Sequence, residues 1–390
     1  MATLDPEFAP AALLRHAAWR VAPAIVLLVL ARCADSRLNA AQRGPRDILD
    51  AAQWARLDQS VDRGLEYLAT QQDPDGSFRT LQAGQPAITS LCVMAFLSRG
   101  HVPGQGPYGE LLNRAIDFVL STQQDNGLLY GLPVSEGWER YDGSHTAIYN
   151  HAIAGLMLAE VYGMTDEPLQ DRLRVAVEGA LKFTREQQVA PKRMAADKGG
   201  WRYLREYASN DSDLSVTSWQ LMFLRSARNA EFEVPEEYIN DAMTYIRSCF
   251  DNLQSAFIYA ESERRPSGGI VGGGILSLAL GGEHQTEIAH LAGDWILANR
   301  HRSYNGPGQH GMDRYHYSTY YCSQAMFQLG GDYWAQFYPD MMDTLLDNQQ
   351  NDGSWEPEAI MDETYGNAYT TALAILALTP PYQLLPLYQA

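Results

Sequence analysis

Basic clusters are absent from this sequence, which is strongly acidic. Asp and Glu total 47 whereas Lys and Arg total 29, for a formal net charge of -18 over 390 residues. Proteins that bind nucleic acid contact its phosphates with grouped Lys and Arg side chains, so this charge pattern argues against nucleic acid as a partner. It predicts an acidic, well-solvated exterior instead.

Cysteine is also scarce. The four cysteines, Cys33, Cys92, Cys249 and Cys322, form no CxxC pair and no regular framework. In a chain of this length we expect them to be buried thiols rather than a disulfide scaffold. No complete metal-ligand pattern accompanies them, and we expect neither a metal nor another cofactor.

Long apolar runs are limited to one near the N-terminus. Arg15 and Arg20 precede residues 21–31, an apolar run of eleven residues. This run is too short to span a membrane and has the length of a signal-peptide core. The sequence therefore predicts a signal peptide or disordered segment over residues 1–40 and an exported protein, whether periplasmic, secreted or membrane-associated. No stable membrane span is expected in the mature protein, and the oligomeric state stays open.

Alternation of apolar and polar residues is almost missing after residue 50, which predicts an all-α chain. Six stretches are amphipathic with a helical period, namely 58–72, 109–124, 170–188, 236–251, 284–299 and 334–350. Six others are apolar nearly all round, namely 87–97, 147–159, 215–224, 269–280, 319–329 and 367–378. The second kind is typical of helices that are buried on every side.

The two kinds of stretch alternate six times along the chain. A single pair cannot bury its own apolar surface, so successive pairs must stack on one another. Six pairs can close into a ring, and residues 41–390 are predicted to form one (α/α)6 toroid barrel of six inner and six outer helices. An open solenoid is the alternative fold.

Two strings combine a Gln-Gln pair, a Gly turn and an aromatic residue. They are "QQDPDGSF" at 71–78 and "NQQNDGSW" at 348–355. They resemble the Gln-Trp repeats of the terpene cyclase/prenyltransferase (squalene cyclase-like) superfamily, and "DKGGWRY" at 197–203 resembles a further copy. Within that superfamily the chain is most similar to short bacterial single-barrel proteins with prenyltransferase/squalene oxidase repeats. The resemblance implies an α/α toroid with a central cavity for an isoprenoid.

The string "NDSDLS" at 210–215 comes directly before the third apolar stretch. It resembles the DxDD motif of class II terpene cyclases, in which the middle Asp protonates an alkene. The resemblance puts Asp213 in the place of the acid and Asp211 beside it, whereas Leu214 stands where the motif has its last Asp. The alternative role for Asp213 is the N-cap of a helix, which is ordinary for Asp.

Histidines and aromatic residues supply the other candidates. His145 and His316 are candidate catalytic side chains, but His145 and His151 are six positions apart and do not share a helix face as a metal-binding pair would. The region of His316 resembles the zinc site of protein prenyltransferases without its Asp and Cys, so metal-dependent prenyl transfer is not expected. The candidate ligand-binding residues are Asp142, Tyr149, His151, Trp201, Tyr203, Trp219, Asp313, Tyr315, Tyr320, Tyr321, Glu363 and Tyr365.

Three functions follow from these residues. The first is a barrel that binds an isoprenoid or other apolar ligand, where aromatic rings could steady a carbocation and Asp213 could serve as the acid of a class II-like cyclase. The second is a non-catalytic exported protein that binds a ligand or a partner. The third is an α/α-barrel glycan hydrolase or lyase with two of the Asp and Glu candidates as acid and base. Whether the protein is an enzyme stays open.

Overall fold

The structure is a computed structural model and describes residues 44–134, 143–205, 209–299, 304, 314–357 and 365–388. The predicted signal segment and Cys33 lie outside these residues. Twelve α-helices are present in the described part of the chain, and they alternate between an outer and an inner ring. None of the described helices is long and apolar enough to cross a membrane.

The six outer helices are amphipathic and half exposed. They are α1 (Ala51–Thr70), α3 (Gly109–Ser121), α5 (Glu167–Val189), α7 (Glu236–Ser248), α9 (Glu287–Asn299) and α11 (Gly331–Asp347). The first begins seven residues before its predicted start because Asp50 caps it, with both arms of a capping box made by Asp50 and Gln53. The sequence period thus located each helix, and local capping chemistry decided where this one begins.

The six inner helices are buried on nearly all sides. They are α2 (Ala87–Leu97), α4 (Gly143–Val161), α6 (Leu214–Asn229), α8 (Gly268–Leu280), α10 (Tyr315–Leu329) and α12 (Asn367–Leu378). Each packs against the next, and α12 packs against α2, so the inner ring closes. The outer ring also closes, through contact of α11 with α1. The predicted toroid of six inner and six outer helices is confirmed, and the open solenoid is wrong.

Glycine sets the spacing between α8 and α10. A Cβ added at Gly272 would lie 2.8 Å from the Cys322 amide nitrogen and 2.8 Å from the Tyr321 carbonyl carbon. Only the absence of a side chain therefore lets these two backbones approach so closely. This explains why an inner helix carries a run of Gly residues, which otherwise disfavour a helix.

A glutamine clamp joins neighbouring outer helices at four connections. The Gln349 side-chain amide donates to the carbonyl oxygens of Gly353 (2.9 Å), in its own turn, and Ser60 (2.8 Å), in α1. The same two bonds recur in clamps made by Gln72, Gln123 and Gln188. Each clamp therefore reaches the next outer helix, and the one at Gln349 joins α11 to α1 across the closure of the ring.

Each clamp also needs a glycine in the turn. Gly353 has φ of 92°, and a Cβ on it would collide with the Arg63 carbonyl. Gly76, Gly127 and Gly199 have φ of 92°, 90° and 87° and lie equally close to a carbonyl of the following outer helix. Glycine is thus required in the turn for two reasons, the left-handed backbone conformation and the close approach of a carbonyl from the next outer helix.

The residue two positions after the turn glycine packs into the core and donates its backbone N–H to the next inner helix. The Trp355 N–H bonds to Thr371 Oγ1 (3.1 Å), as do the N–H groups of Phe78 and Trp201 to equivalent threonines. At the second connection Leu129 replaces the aromatic residue and His151 Nδ1 replaces the threonine (3.2 Å). This fourth copy was missed from the sequence because it has no aromatic ring.

The remaining parts of the described chain are short. One small antiparallel hairpin pairs Phe250–Asp251 with Ala256–Phe257 and was not predicted. Cys92, Cys249 and Cys322 are buried and form no disulfide with one another. At the C-terminal ends of the inner helices, Glu160 accepts a hydrogen bond from the Leu387 N–H (3.3 Å), so the C-terminal segment packs over that end.

Candidate functional site

A cavity of about 360 Å³ lies among the N-terminal halves of the inner helices. Its wall draws described residues from α2, α4, α6, α10 and α12 and from the loops before them. Part of the wall is aliphatic or small, with Ala83, Gly84, Ala87, Ile88, Leu91, Ile153 and Leu373. The aromatic part consists of Tyr149, Tyr203, Trp219, Tyr317, Tyr365 and Tyr369. The described wall is therefore rich in aliphatic and aromatic side chains, and its tyrosines also bring hydroxyl groups to the cavity.

Four polar side chains complete the described wall: His145, Thr146, Asn150 and Arg314. Asn150 is held in place, because its amide donates to the Ala83 carbonyl (2.9 Å) and its oxygen accepts from the Ala87 N–H (2.7 Å). Arg205 contacts His145 Nε2 at 3.2 Å, which puts a second guanidinium behind the histidine. No carboxylate belongs to the described part of this wall.

Hydroxyl groups form a chain beside the cavity. The Tyr149 hydroxyl donates to Ser215 Oγ (3.0 Å), which lies 2.8 Å from the Tyr317 hydroxyl. The hydroxyls of Tyr203 and Tyr259 are 2.7 Å apart. Burial raises the pKa of Tyr149 and of Tyr317, so both phenols stay protonated and can donate hydrogen bonds at neutral pH.

Asp213 is completely buried, and both of its carboxylate oxygens have protein partners. Its Oδ1 accepts the Val216 N–H (2.8 Å) and caps α6, and its Oδ2 pairs with Arg202 Nη1 (3.0 Å). Burial raises the pKa of Asp213 to about 6, against the opposing pull of Arg202. Asp213 does not line the cavity. Both carboxylate oxygens thus bind protein donors. The structure therefore shows Asp213 as a helix cap in a buried ion pair, at the position where the sequence predicted the acid of a cyclase.

Asp211 is also placed away from the cavity. Its carboxylate binds the backbone N–H and the guanidinium of Arg193, on the loop before α6. The hydrogen bonds from Arg193 lower the pKa of Asp211, which therefore stays ionised. Asp211 and Asp213 therefore have separate partners, Arg193 and Arg202.

The three candidate histidines have different surroundings. His145 lines the cavity, with its ring 4.8 Å from that of Tyr203. His151 is buried in the clamp, where Thr184 Oγ1 lies 2.9 Å from its Nε2, and burial lowers its pKa to about 3. Burial likewise lowers the pKa of His316 to about 4, and this ring contacts the Glu356 carbonyl and not the cavity. His145 is thus the one candidate histidine in the cavity wall.

The predicted aromatic cluster divides between wall and core. Tyr149, Tyr203, Trp219 and Tyr365 line the cavity. Behind them, Tyr320 stacks on Trp219 with ring centroids 5.6 Å apart, and Tyr321 meets the same indole edge-on at 5.4 Å. Trp201 is a clamp residue, since its Nε1 donates to the Thr184 carbonyl (2.8 Å), and Tyr315 faces a separate surface pocket near α9 and α11. Asp142, Asp313 and Glu363 lie outside the described residues.

Arg314 was not among the predicted site residues. Arg314 precedes the first residue of α10 and belongs to the wall, as Tyr317 does one turn later. Asp213 drew attention because it lies directly before an inner helix, and Arg314 holds the same kind of position. In the described part of the chain, no group of three His, Cys, Asp or Glu side chains is arranged to hold a metal ion.

Comparison with known proteins shows the fold. No protein-family model matches the sequence, and no curated protein matches it significantly. A solved variant of the type II terpene cyclase MstE from Scytonema, in complex with geranylgeranyl dihydroxybenzoate, has a TM-score of 0.55 and 13% identity, covering 86% of this chain and 100% of that chain. A GH76 α-mannanase from Bacteroides thetaiotaomicron has a TM-score of 0.57 and 11% identity, covering 84% and 96%. A glycosidase in complex with glucose has a TM-score of 0.56 and 12% identity, covering 86% and 100%.

The chain therefore has the α/α-toroid fold that type II terpene cyclases share with α/α-barrel glycosidases. The likeness to squalene cyclase-like proteins is confirmed as one of fold. At these identities it carries no information about the reaction or the ligand, because one fold serves many functions.

Proposed function

We propose that this protein binds an isoprenoid or other apolar small molecule in the cavity at the N-terminal ends of its inner helices. The observation that carries the proposal is the wall itself, in which six aromatic rings and a set of aliphatic side chains surround about 360 Å³. Small-molecule sites typically enclose roughly 300–1,000 Å³ and are lined mainly by apolar and aromatic groups with a few polar ones. The cavity of this protein matches that description.

Binding rather than a particular reaction is what the described residues support. The cyclase hypothesis needs an acid in contact with the substrate, and Asp213 is occupied by the α6 backbone and by Arg202. A glycan hydrolase needs two carboxyl groups on either side of the scissile bond, and the described wall holds none. The rings of Trp219 and the tyrosines offer contact surface for an apolar body.

Ligand binding can be tested by thermal shift and calorimetry with farnesol and geranylgeraniol. A ligand that binds only the folded state at about 100 times its Kd should stabilise it by roughly 2.7 kcal/mol. Ile153→Phe places a ring into the cavity and should abolish the shift, because Ile153 lines the wall. Val175→Phe is the matched control, since Val175 is 69% exposed on the outer helix α5.

The same titrations distinguish the other candidate functions. Stabilisation by mannose or glucose oligomers but by no isoprenoid would replace this proposal with a glycan site. Equal shifts for the wild type and for Ile153→Phe would place the ligand outside the cavity and contradict the proposal.

Export is a separate part of the proposal. Its support is the sequence of residues 21–31 alone, which lie outside the described part of the chain. Expression of the full chain in a bacterial host, followed by N-terminal sequencing of the periplasmic and membrane fractions, tests it. A full-length protein retained in the cytoplasm would contradict export.

A further inference from the structure

Five of the six inner helices line the cavity, and α8 is the exception. Described residues of α2, α4, α6, α10 and α12 belong to the wall, whereas α8, which is described over its whole length, contributes none. Protein interiors are close-packed. Side chains of other helices must therefore occupy the space between α8 and the cavity.

Small residues of α8 face this space. A Cβ added at Gly273 would lie 3.2 Å from Ser218 Oγ, on α6, and 3.6 Å from Cε1 of Tyr321, on α10. One turn later in α8, Ser277 Oγ is 3.1 Å from Ser218 Oγ. Because α8 has no side chain at Gly273, the ring of Tyr321 can pack directly against this helix.

Aromatic rings of α6 and α10 fill the space in two layers. Trp219 and Tyr317 line the cavity. Tyr321 lies behind both of them, with its ring centroid 5.4 Å from that of Trp219 and 5.1 Å from that of Tyr317. Tyr320 stacks on Trp219 and meets Tyr321 at a centroid distance of 5.1 Å. We name Trp219, Tyr320 and Tyr321 the aromatic partition, since these buried rings separate the cavity from α8.

We infer that the aromatic partition limits the size of the ligand, and that Trp219 is the specificity-determining residue because it is the member that lines the cavity. This inference rests on the proposed function and adds what restricts the apolar body that binds. The surroundings of a deleted core side chain relax only partly, so loss of the Trp219 ring would extend the cavity toward Tyr321 and α8. An apolar space of this kind stays dry and accepts apolar molecules.

The experiment compares farnesol with geranylgeraniol, which is longer by one isoprene unit. Calorimetry gives the ratio of the two Kd values for the wild type and for each variant. Trp219→Ala should change this ratio at least about tenfold in favour of geranylgeraniol, because the extra unit then buries apolar surface in space that the indole ring occupies in the wild type. Trp219→Leu keeps part of the side-chain volume and should change the ratio in the same direction by a smaller factor. It also provides the test if Trp219→Ala does not fold.

Free indole provides a readout that a general loss of stability would not give. Indole matches the ring that Trp219→Ala removes, so at a saturating concentration it should return the ratio of the two Kd values to that of the wild type. It should leave the ratio of the wild type itself unchanged, because the Trp219 ring already fills that space.

Trp334→Ala is the matched control. Trp334 is 2% exposed, belongs to the outer helix α11 and does not line the cavity. This variant also loses an indole from the core, so its melting temperature should fall. Its ratio of Kd values should remain within about twofold of the wild type.

The possible outcomes separate this inference from the proposed function. If the alcohols bind the wild type and the folded Trp219 variants keep its ratio, the apolar cavity stands and the size limit is wrong. An equal change of the ratio in Trp334→Ala would also overturn the size limit. Binding of geranylgeraniol that begins only when Trp219 is replaced would support the partition and contradict the proposed function. If neither alcohol binds the wild type or any variant, both are wrong.

Discussion

Asp213 shows how one side chain can fit a catalytic motif and serve the fold. Its position before α6 fits a catalytic acid, but it equally fits a helix cap. The buried guanidinium of Arg202, whose side chain is 10% exposed, makes the carboxylate necessary, because a buried cation without a counterion is costly. The same ion pair explains why Asp213 can lie at 0% exposure.

Asp213→Asn should destabilise the protein mainly through Arg202. Asn caps helices about as well as Asp, so the bond to Val216 is retained and the charge is lost. Breaking a buried pair on one side costs about 3–5 kcal/mol, which chemical denaturation would measure. Asp166→Asn is the control, since Asp166 caps α5 with a bond to Leu169 at an exposed site. Similar losses in the two variants would show that the Arg202 pair contributes little.

His151 is a second candidate site residue that serves the fold. It accepts the Leu129 N–H at the position where three other clamps use Thr89, Thr217 and Thr371. Two histidines of this chain, His145 and His151, are thus six residues apart on one helix, with one in the cavity wall and one in the core. Residue type alone does not separate the two roles.

At the scale of elements, the glutamine clamps connect one outer helix to the next. The clamp at Gln349 differs from the others because it joins the last outer helix to the first and so closes the outer ring. Ser60 both donates to Gln349 Oε1 (3.0 Å) and offers its carbonyl to Gln349 Nε2 (2.8 Å). Two bonds between the Gln349 side chain and Ser60 therefore cross the closure of the outer ring, and a third fixes the side chain to Gly353 in its own turn.

Gln349→Ala should loosen that closure. The carbonyls of Ser60 and Gly353 each lose a hydrogen bond from this side chain, and together these losses cost about 1–3 kcal/mol. Hydrogen exchange should increase in α1 and α11 before it increases in α5 and α7. Gln350→Ala is the matched control, because the Gln350 side chain makes no hydrogen bond to the described residues. Uniform exchange across all outer helices would contradict a local role for this clamp.

At the scale of the whole molecule, the two ends of the barrel differ. One end holds the cavity, and the other is packed by the C-terminal segment through Glu160. The Glu160 oxygens accept from Ser226 Oγ (2.5 Å) and from the Leu387 N–H (3.3 Å). Burial raises the pKa of Glu160 from 4.5 to about 7, against the smaller opposing effect of these bonds.

This raised pKa gives a prediction with a definite sign. Between pH 4.5 and 7 the unfolded chain loses the Glu160 proton while the folded chain keeps it, so Glu160 makes the fold less stable as pH rises through that window. Glu160→Gln is neutral at every pH and keeps an acceptor. Its melting temperature relative to the wild type should therefore rise from pH 5 to pH 8, by the equivalent of roughly 3 kcal/mol at most.

The exposed Glu178→Gln controls for the change in net charge. A melting-temperature difference between Glu160→Gln and the wild type that stays constant from pH 5 to pH 8 would show that the Glu160 carboxyl titrates as it does in the unfolded chain. In Glu160→Ala the Leu387 amide should exchange hydrogen faster than in the wild type. That result would support the role of the Glu160 side chain in packing the C-terminal segment.

The sequence by itself determined the helices, their order and the closed ring. Amphipathic and fully apolar periods are local properties, and residues 87–97 were predicted to be an inner helix with the same bounds as α2. The paired strands at Phe250 and Phe257 were not predicted, because each has only two residues and shows no period. The Leu129 copy of the clamp was missed because it has no aromatic residue two positions after its turn glycine, although Gln123, Gln124 and Gly127 repeat the letters of the other copies.

Only the tertiary structure decided which side chains face the cavity. An inner helix is apolar on all sides, so its sequence period does not distinguish the face toward the cavity from the faces toward its neighbours. Tyr149 reaches the cavity while His151, two residues on, reaches the clamp. Arg314 and Asp213 hold the same place before an inner helix, yet one lines the wall and the other pairs with Arg202. The physical reason is that burial and partner, not residue type, determine what a charged group can bind.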